Sequence, residues 1–291
     1  MDELKRLENQ RKVVLTFAII NIVFLLLGVI VFSLHTALSV IFFAAAIIFF
    51  FAGTMPKYNA YTIRFKRELV ETVLKRTFDN LCFEPKKGIS RGVIAGTGMM
   101  RMGNRFYSND YISGRYKNTA FEQSDVCIQN VTSDGKNTHT TTYFKGRWMI
   151  FDFNKNFAAD LLVRESGFYY TKRKGGLFVS EEERMKRLKL EDEQFNREFD
   201  VFAQNEHEAY YILTPHIMEA IRELNAKVSG KLILCFVNSK LHVGVHNKKD
   251  AFEAPIFTRI DESVFLNIEK DIKVITSFID ELNLDRNIYK R

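Results

Sequence analysis

Charge is missing from one long stretch of this 291-residue chain. The 41 residues from Val13 to Gly53 contain no Asp, Glu, Lys or Arg, so the other 250 residues are about 31% charged. An ordinary soluble domain is roughly 25% charged throughout. This division argues against an ordinary soluble enzyme, a fibrous or disordered chain and a polytopic transporter. About 230 residues remain after the uncharged block, enough for one large or two small domains.

Cysteine is also scarce, with Cys82, Cys127 and Cys235 far apart in the chain and no CxxC spacing. An odd, sparse set argues against a disulfide framework and is typical of a reducing compartment. The formal net charge of +7 is mildly basic. It suits a surface near anionic lipid but is too diffuse to indicate nucleic-acid binding, so no nucleic-acid partner is expected.

Motifs for cofactors and metals are missing as well. The segment Gly96–Gly103 lacks the third glycine of a dinucleotide loop at the required spacing. His242 and His246 are four residues apart, which on a strand separates their Cα atoms by about 13 Å, too far to share one metal. His207 and His216 lie near glutamates that could supply ligands, yet capping or solvated roles are favoured. We expect no cofactor and no metal site.

The sequence does not indicate a catalytic nucleophile or an acid–base pair either. Cys127 and Cys235 fall inside apolar strand-like segments, where cysteine is by default a small hydrophobic residue. Asp110, Asp125 and Asp152 could pair as acid and base, but aspartates that form turns or face solvent are the norm. No catalytic residue is therefore predicted.

The uncharged block predicts a transmembrane hairpin. Val13–Leu34 spans 22 residues, or about 33 Å as a helix, and Ala37–Gly53 spans 17, or about 26 Å; the bilayer core is about 30 Å thick. Only His35 and Thr36 separate them. The hairpin also offers a route to homo-oligomers, and an oligomeric channel is a less favoured alternative.

Cations flank the block on both sides, and the connecting turn has none. Cationic flanks stay in the cytoplasm. We therefore expect the chain to cross a cell membrane twice, with both termini and the body after the hairpin on the cytoplasmic side. A cleaved signal peptide is the rival, but the apolar region is too long and a second span follows at once. The flanking cations are Lys5, Arg6, Arg11 and Lys12 before the spans, and Lys57, Arg64, Lys66 and Arg67 after them.

The expected fold class is α+β, with the transmembrane hairpin followed by a cytoplasmic body of antiparallel strands and amphipathic helices. Turn residues between strand-like stretches predict hairpins around Asp134-Gly135 and Asn238-Ser239. The expected organisation is a basic tail (1–12), the hairpin (13–53, with spans 13–34 and 37–53), a juxtamembrane helix (54–82), a strand-rich subdomain (83–179) and an α+β subdomain ending in a helix (180–291).

Three helices of the body carry clear signals. Glu183 follows Ser180 at the capping-box spacing, which predicts a helix over Ser180–Phe199. Thr214-Pro215 predicts the start of another helix, with Thr214 as its N-cap. From near Asp261, apolar residues recur at steps of three and four, which is typical of an amphipathic helix: Val264, Ile268, Ile272, Ile275, Ile279 and Leu282.

Two clusters of cations are candidate contacts for lipid headgroups or a partner. The first belongs to the start of the juxtamembrane helix, and the second is a basic loop preceded by Tyr169-Tyr170. Each cation close to an anionic surface contributes about 1 kcal/mol. The alternatives are a helix that packs on the body and a solvated loop. The candidate residues are Arg64, Lys66 and Arg67, and Lys172, Arg173 and Lys174.

Several segments together resemble a known family. They are Asp110–Gly114, Phe121–Val126, Phe144–Arg147, Phe199–Val201 and, most specifically, Glu208–Glu219. With the apolar hairpin before them, they resemble the bacterial family known only as domain of unknown function 3137, over nearly the whole chain. The resemblance implies a bacterial membrane-anchored protein without assigned chemistry, and hints at LemA-type membrane proteins as partners.

The function expected from the sequence is a membrane-tethered interaction or scaffold module, which holds its body near the inner leaflet to bind a protein partner or anionic lipid headgroups. Tethering raises the local concentration of membrane-bound partners without any catalysis. The alternative is a membrane-associated enzyme, a hydrolase, with His207, His216 and nearby glutamates as its site. Because no catalytic residue is predicted, we favour a protein that is not an enzyme.

Overall fold

The computed structural model describes residues 2–153, 157, 159–172 and 185–285. It divides into two compact units. The first combines residues up to Arg76 with Phe252–Lys270, and the second combines Thr77–Ala251 with the chain from Asp271 onward. The segment Phe252–Lys270 thus belongs to the same unit as the N-terminal helices, and the expected division into subdomains stays a prediction.

The first unit consists mainly of helices. The chain turns after the first helix and then stays helical from Thr36 to Thr77, with two π-helical turns at Phe50–Thr54 and Lys66–Val70. Pro56 follows the first of these turns, and proline cannot donate to the helical hydrogen-bond ladder. The α-helical segments are α1 (Asp2–Phe32), α2 (Thr36–Phe49), α3 (Met55–Phe65) and α4 (Glu71–Thr77).

Helices α1 and α2 pack as an antiparallel hairpin. Asn21 donates its side-chain N–H to the Ala46 carbonyl at 2.8 Å, which satisfies a polar group among apolar neighbours. The rings of Phe17 and Phe49 stack at 5.2 Å. Gly28 allows close approach, since an added Cβ would lie 2.9 Å from the Phe43 ring. The predicted helical hairpin is therefore confirmed as a fold.

In the first unit, hydrogen bonds connect the segment Phe252–Lys270 to the N-terminal helices. Tyr61, fully buried, donates its hydroxyl to the Pro255 carbonyl at 2.6 Å. Arg11 donates to the Ile256 carbonyl at 2.6 Å and pairs with Glu8 at 2.7 Å. That ion pair lowers the pKa of Glu8 to about 2. Arg11 is therefore a buried structural cation.

The described residues of the second unit form a nine-stranded sheet whose recorded pairings are all antiparallel. The strand order is β1-β2-β3-β4-β9-β8-β5-β7-β6. The strands are β1 (Asp79–Glu84), β2 (Arg105–Tyr116), β3 (Thr119–Ser133), β4 (Thr138–Asp152), β5 (Leu161–Glu165), β6 (Lys186–Leu188), β7 (Phe199–Ala203), β8 (Lys231–Val237) and β9 (Lys240–His246).

Within the described residues, five further α-helices follow α4 in the chain. They are α5 (Arg91–Gly96), α6 (Glu193–Glu198), α7 (Glu206–Ile212), α8 (Pro215–Lys227) and α9 (Glu262–Glu281). On one face of the sheet, Trp148 is fully buried in an apolar cluster with Phe144 and Ile128. On the other face, Phe151 stacks on Phe278 of α9 at 6.1 Å between centroids. The sheet is thus buried on both faces along its central strands.

Both predicted β-hairpins are confirmed. β3 and β4 flank Asp134-Gly135, and Asp134 accepts two backbone N–H groups of its own turn. β8 and β9 flank Asn238 and Ser239, which have φ of 52° and 57°. Positive φ at both central residues is the turn geometry that matches the twist of a two-residue hairpin.

The helical predictions give a mixed outcome. α8 begins as predicted, with the Thr214 hydroxyl accepting from the Ile217 N–H at 3.4 Å. The apolar positions predicted for the last helix are all buried. The continuous helix over Ser180–Phe199 is wrong, because residues 186–188 pair with β7 as a strand; Ser180 and Glu183 lie outside the described residues. The fold class α+β is confirmed.

Candidate functional site

An open groove of about 770 Å³ lies in the second unit. Its walls come from the start of β8, the end of β9, the turn after β5 and the segment before β2. Strands β8 and β5 are neighbours in the sheet, as are β8 and β9. The sheet topology therefore gathers residues that are far apart in the chain at one edge of the fold.

Glycine is required where β8 enters this groove. Gly230 has φ of +130°, which residues with a side chain rarely adopt. A Cβ there would lie 2.6 Å from the His246 carbonyl oxygen. Lys231 and His246 are paired across the two strands. The glycine therefore lets β8 approach the end of β9 closely and places these two side chains at the groove.

Three cations line the groove, and the described lining residues include no Asp or Glu. Lys231 pairs with Glu165 at 2.5 Å and donates to the Ser166 carbonyl at 3.1 Å, which fixes its position. Arg101 and Lys248 are exposed. Among the described residues, Lys231 is the one lining cation with an acidic partner, so the described lining carries a net positive charge.

His246 contributes a neutral donor rather than a fourth cation. Burial, followed by the charge of Lys248, lowers its pKa below the ordinary value. Its ring lies between Phe144 and Phe168, with centroids 5.7 and 5.4 Å away. Nδ1 accepts the Lys145 backbone N–H at 3.0 Å. In the neutral ring the proton must then be on Nε2, which remains as a hydrogen-bond donor.

Aromatic side chains form another wall of the groove. Tyr170 stacks on Tyr143 at 5.1 Å between centroids. Tyr169 is 68% exposed although it lines the groove. The guanidinium of Arg164 lies 5.8 Å from its ring centroid, at the outer edge of a cation–π contact. An exposed ring beside cations can cover an uncharged part of an anionic ligand.

One predicted contact residue lies beside this groove. Lys172 is exposed, and its backbone N–H donates to the Met99 carbonyl at 2.7 Å. Together with the bridge between Met100 and Thr171, this bond ties the predicted basic loop to the segment that carries Arg101. Arg173 and Lys174, the other two cations predicted there, lie outside the described residues.

The cations predicted on the juxtamembrane helix belong to the first unit. Arg64 pairs with Glu68 at 3.2 Å and Arg67 with Glu71 at 3.4 Å, each one turn further along. Both arginine side chains are about half exposed, at 48% and 53%. Lys66 is only 8% exposed. Contact of these three residues with lipid stays a prediction, with the two arginines better placed than the lysine.

The structure also buries a cluster of charges, which includes two aspartates that the sequence analysis expected at turns or in solvent. Asp110 and Asp125 are 0% and 1% exposed, and Arg147 is 3% exposed. Arg147 pairs with Asp271 of α9 at 2.5 Å. Asp152, the third aspartate considered for acid–base chemistry, is exposed at the end of β4. The expectation of turn-forming or solvent-facing aspartates was therefore wrong for Asp110 and Asp125.

The carboxyl group of Asp125 is strongly perturbed by its surroundings. Burial raises its pKa to about 7, partly opposed by the charge of Arg147 and reinforced by that of Asp110. Its Oδ2 accepts the Ala251 backbone N–H at 2.6 Å. The group therefore joins β3 to the chain that follows β9. Asp125 shares one side of β3 with Gln123, which is also buried, and two polar residues at this spacing gave no sequence signal for burial.

The other histidines considered as candidates lie in helices or in the packed sheet, where their contacts are structural. Nδ1 of His242, which is 6% exposed, accepts the Trp148 indole N–H at 3.3 Å, and burial lowers the pKa of His242 to about 4. Nε2 of His216 lies 2.7 Å from the Asn283 side-chain nitrogen, and His207 lies in the first turn of α7. Within residues 2–153, 157, 159–172 and 185–285, no three His, Cys, Asp or Glu side chains are placed to hold a metal ion.

Sequence reasoning found part of the groove and missed the rest. Tyr169, Tyr170 and Lys172 were singled out as one basic, aromatic stretch. Arg101, Lys231 and Lys248 were not, because Arg101 and Lys231 have no adjacent cation and Lys248 is only one of a pair with Lys249. The only available signal was Gly230 before an apolar strand, which marks a close approach of backbones but not its partner.

One comparison places part of the chain in a family. Residues 142–284, about half of the chain, match the family model described as protein of unknown function DUF3137. This confirms the family resemblance and covers its most specific segment, Glu208–Glu219. The segments Asp110–Gly114 and Phe121–Val126 lie before the match. No curated protein matches the chain.

Among solved structures, the chain is similar to the crystal structure of the mycobacterial trehalose monomycolate transport factor A, TtfA. The two are 9% identical, with a TM-score of 0.42. The alignment covers 76% of this chain and 95% of that one.

Proposed function

We propose that this chain, whose residues 142–284 belong to the DUF3137 family, is a membrane-tethered interaction module. Its apolar helices anchor it, and its sheet unit presents a binding surface. The observation that carries the proposal is the exposure of apolar side chains along α1 and α2. Only 11% and 17% of the most apolar stretches of the two long helices are buried.

A water-soluble protein rarely leaves so much apolar surface uncovered. Leu26, Ile30 and Ile48 are 55%, 61% and 66% exposed, although such side chains are usually buried in soluble domains. The core helix of a soluble protein would be mostly covered. A bilayer supplies the missing cover, and each Leu, Ile, Phe or Val at the centre of a spanning helix favours insertion by about 0.3–0.6 kcal/mol.

The proposed orientation puts both termini and the sheet unit in the cytoplasm, at the inner face of a cell membrane. It rests on cations at both ends of the hairpin and none in the turn at Ser33–His35. A reporter enzyme fused after Arg291 tests it. Activity of a periplasm-dependent reporter would contradict this orientation, whereas activity of a cytoplasm-dependent reporter would support it.

Anchoring is tested by Leu26→Arg in the full-length chain. Leu26 is exposed, so an arginine there costs little in water, but at the centre of a spanning helix it costs about 2.5–3.5 kcal/mol. Leu266→Arg is the matched control, since Leu266 is 50% exposed on a charged helix. We expect the Leu26 variant to leave the alkali-resistant membrane fraction and the control to remain.

Two results would contradict the anchor. The wild-type chain could be recovered in the supernatant without detergent, or Leu26→Arg could fractionate like Leu266→Arg. Either result would mean that the exposed apolar surface is covered by protein rather than by lipid.

For the binding surface, we favour anionic lipid headgroups, because the basic groove of the sheet unit and Lys172 provide cations beside exposed tyrosine. A LemA-type membrane protein is the alternative partner. Photocrosslinking from position 169 in intact membranes separates the two. Crosslinks to phospholipid would support the headgroup proposal, and crosslinks to one protein would favour the alternative.

A further inference from the structure

We propose that the groove between the ends of β8 and β9 is a binding site for a phosphate ester. The phosphoryl group can belong to a phospholipid headgroup or to a soluble metabolite, since the two share the chemistry that the groove recognises. The inference deepens the proposed function by naming the ligand class of the sheet unit. It rests on that function only where the lipid source is concerned.

The size of the groove sets the first limit on the ligand. Pockets for small molecules commonly enclose about 300–1,000 Å³, and this one measures about 770 Å³. A bare phosphate ion would occupy a small part of it. The groove therefore suits a phosphoryl group attached to a body of the size of glycerol or a sugar.

The charge of the lining sets the sign of the ligand. Arg101 and Lys248 have no side-chain hydrogen bond or ion pair within the described residues, while Lys231 is paired with Glu165. Like charges that face one empty space repel each other, and an anion between them removes this cost. Arginine and lysine are also the side chains that most strongly bind phosphate oxygens.

The donors are held in place before any ligand arrives. The backbone N–H of Arg101 donates to the Tyr170 carbonyl at 3.0 Å, and that of Lys248 to the Lys145 carbonyl at 2.9 Å. Lys231 is fixed by Glu165. His246 presents Nε2–H as a neutral donor, because Nδ1 is occupied. A site whose backbone is already ordered loses less entropy when it binds.

The aromatic wall suits the rest of the ligand. Tyr169 is 68% exposed and lies among these cations. A sugar ring or a glycerol backbone can pack on its face while the phosphoryl group reaches Arg101 and Lys248. This combination distinguishes a phosphate ester from inorganic phosphate, which would gain nothing from the tyrosine.

The test uses the full-length chain in a non-ionic detergent, with binding measured by isothermal titration calorimetry. The soluble probe is glycerol 1-phosphate, the lipid probe is dihexanoylphosphatidylglycerol, and inorganic phosphate is the reference. The variant is Arg101→Gln with Lys248→Gln. The matched control is Lys249→Gln, which removes an exposed cation next to Lys248 that does not line the groove.

We expect at least one ester to bind more tightly than inorganic phosphate. The double variant should bind it at least about 10-fold more weakly, the effect of losing a charge-assisted hydrogen bond, and the control should bind normally. Binding of glycerol 1-phosphate assigns a soluble source, and binding of the lipid alone assigns a headgroup. No binding of either ester, or an equal loss in the control, would overturn the proposal. Tyr169→Ala should remove the preference over inorganic phosphate.

These results are independent of the anchor. Binding in detergent does not require a bilayer, and the fractionation of Leu26→Arg does not require the groove. Failure of one proposal can therefore be recognised without the other.

Discussion

Replacing Asp125 by asparagine should change how the stability of the sheet depends on pH. The carboxyl is 1% exposed, and burial raises its pKa to about 7. Asparagine has nearly the same shape and can still accept the Ala251 N–H that Asp125 accepts at 2.6 Å. The substitution therefore removes the titration while it keeps the hydrogen bond.

The magnitude follows from the two pKa values. The usual value is 3.8 and the folded value is about 7. Between these values the folded protein keeps a proton that the unfolded chain has released, so the stability of the folded state falls as pH rises. At 1.36 kcal/mol per pH unit, the full effect is about 4 kcal/mol. About 2–3 kcal/mol of it falls between pH 5 and pH 7.5.

Trp148 makes this measurable. It is the single tryptophan of the chain and is fully buried in the same sheet. Its fluorescence during urea unfolding of the full-length protein in detergent gives the stability of the sheet. From pH 5 to pH 7.5, we expect the wild type to lose about 2–3 kcal/mol of stability relative to Asp125→Asn.

The stability of the wild type must be compared with that of Asp125→Asn, because other buried groups change the stability with pH in the opposite direction. The pKa of His246 is lowered, so it adds stability that is lost as pH falls. Asp152→Asn makes the same substitution at an exposed position of β4 and is the matched control. A constant difference between wild type and Asp125→Asn across this range would refute the assignment of a protonated carboxyl.

Three further predictions concern packing and local backbone geometry, and each uses the same fluorescence assay. Ile275→Ala, at a position with 0% exposure, should cost about 2–5 kcal/mol, whereas Leu266→Ala on the same helix should change stability by less than about 0.5 kcal/mol; equal losses would contradict the buried face of α9. Thr214→Ala removes the N-cap of α8 and should cost about 1 kcal/mol; no loss would argue against that cap. Gly230→Ala should cost about 1–3 kcal/mol through strain at φ of +130°, and an unaffected protein would mean that β8 and β9 can separate there.

Much of the local structure could be predicted from the sequence. The charge-free block predicted the helical hairpin, and the turn residues at Asp134-Gly135 and Asn238-Ser239 predicted two β-hairpins. Thr214-Pro215 predicted a helix start. These features depend on neighbours a few residues apart, and such patterns are visible in one dimension.

The prediction of a helix over Ser180–Phe199 shows where this reasoning fails. Charged residues with a helical period can also form a short edge strand. Lys186–Leu188 does so by pairing with β7, and its exposed charges are suited to a sheet edge. Local propensity was overridden by hydrogen bonds to a strand that comes later in the chain.

The sequence by itself determined the anchor-like hairpin, the α+β class and the amphipathic face of α9, because each depends on the spacing of residues that are close in the chain. Only the tertiary structure decided the groove and the buried charges. Placing β9 between β4 and β8 brings Lys248 towards Arg101, and the return of the chain after β9 covers Asp125. Strand order depends on the packing of the whole sheet, so no single segment contains it.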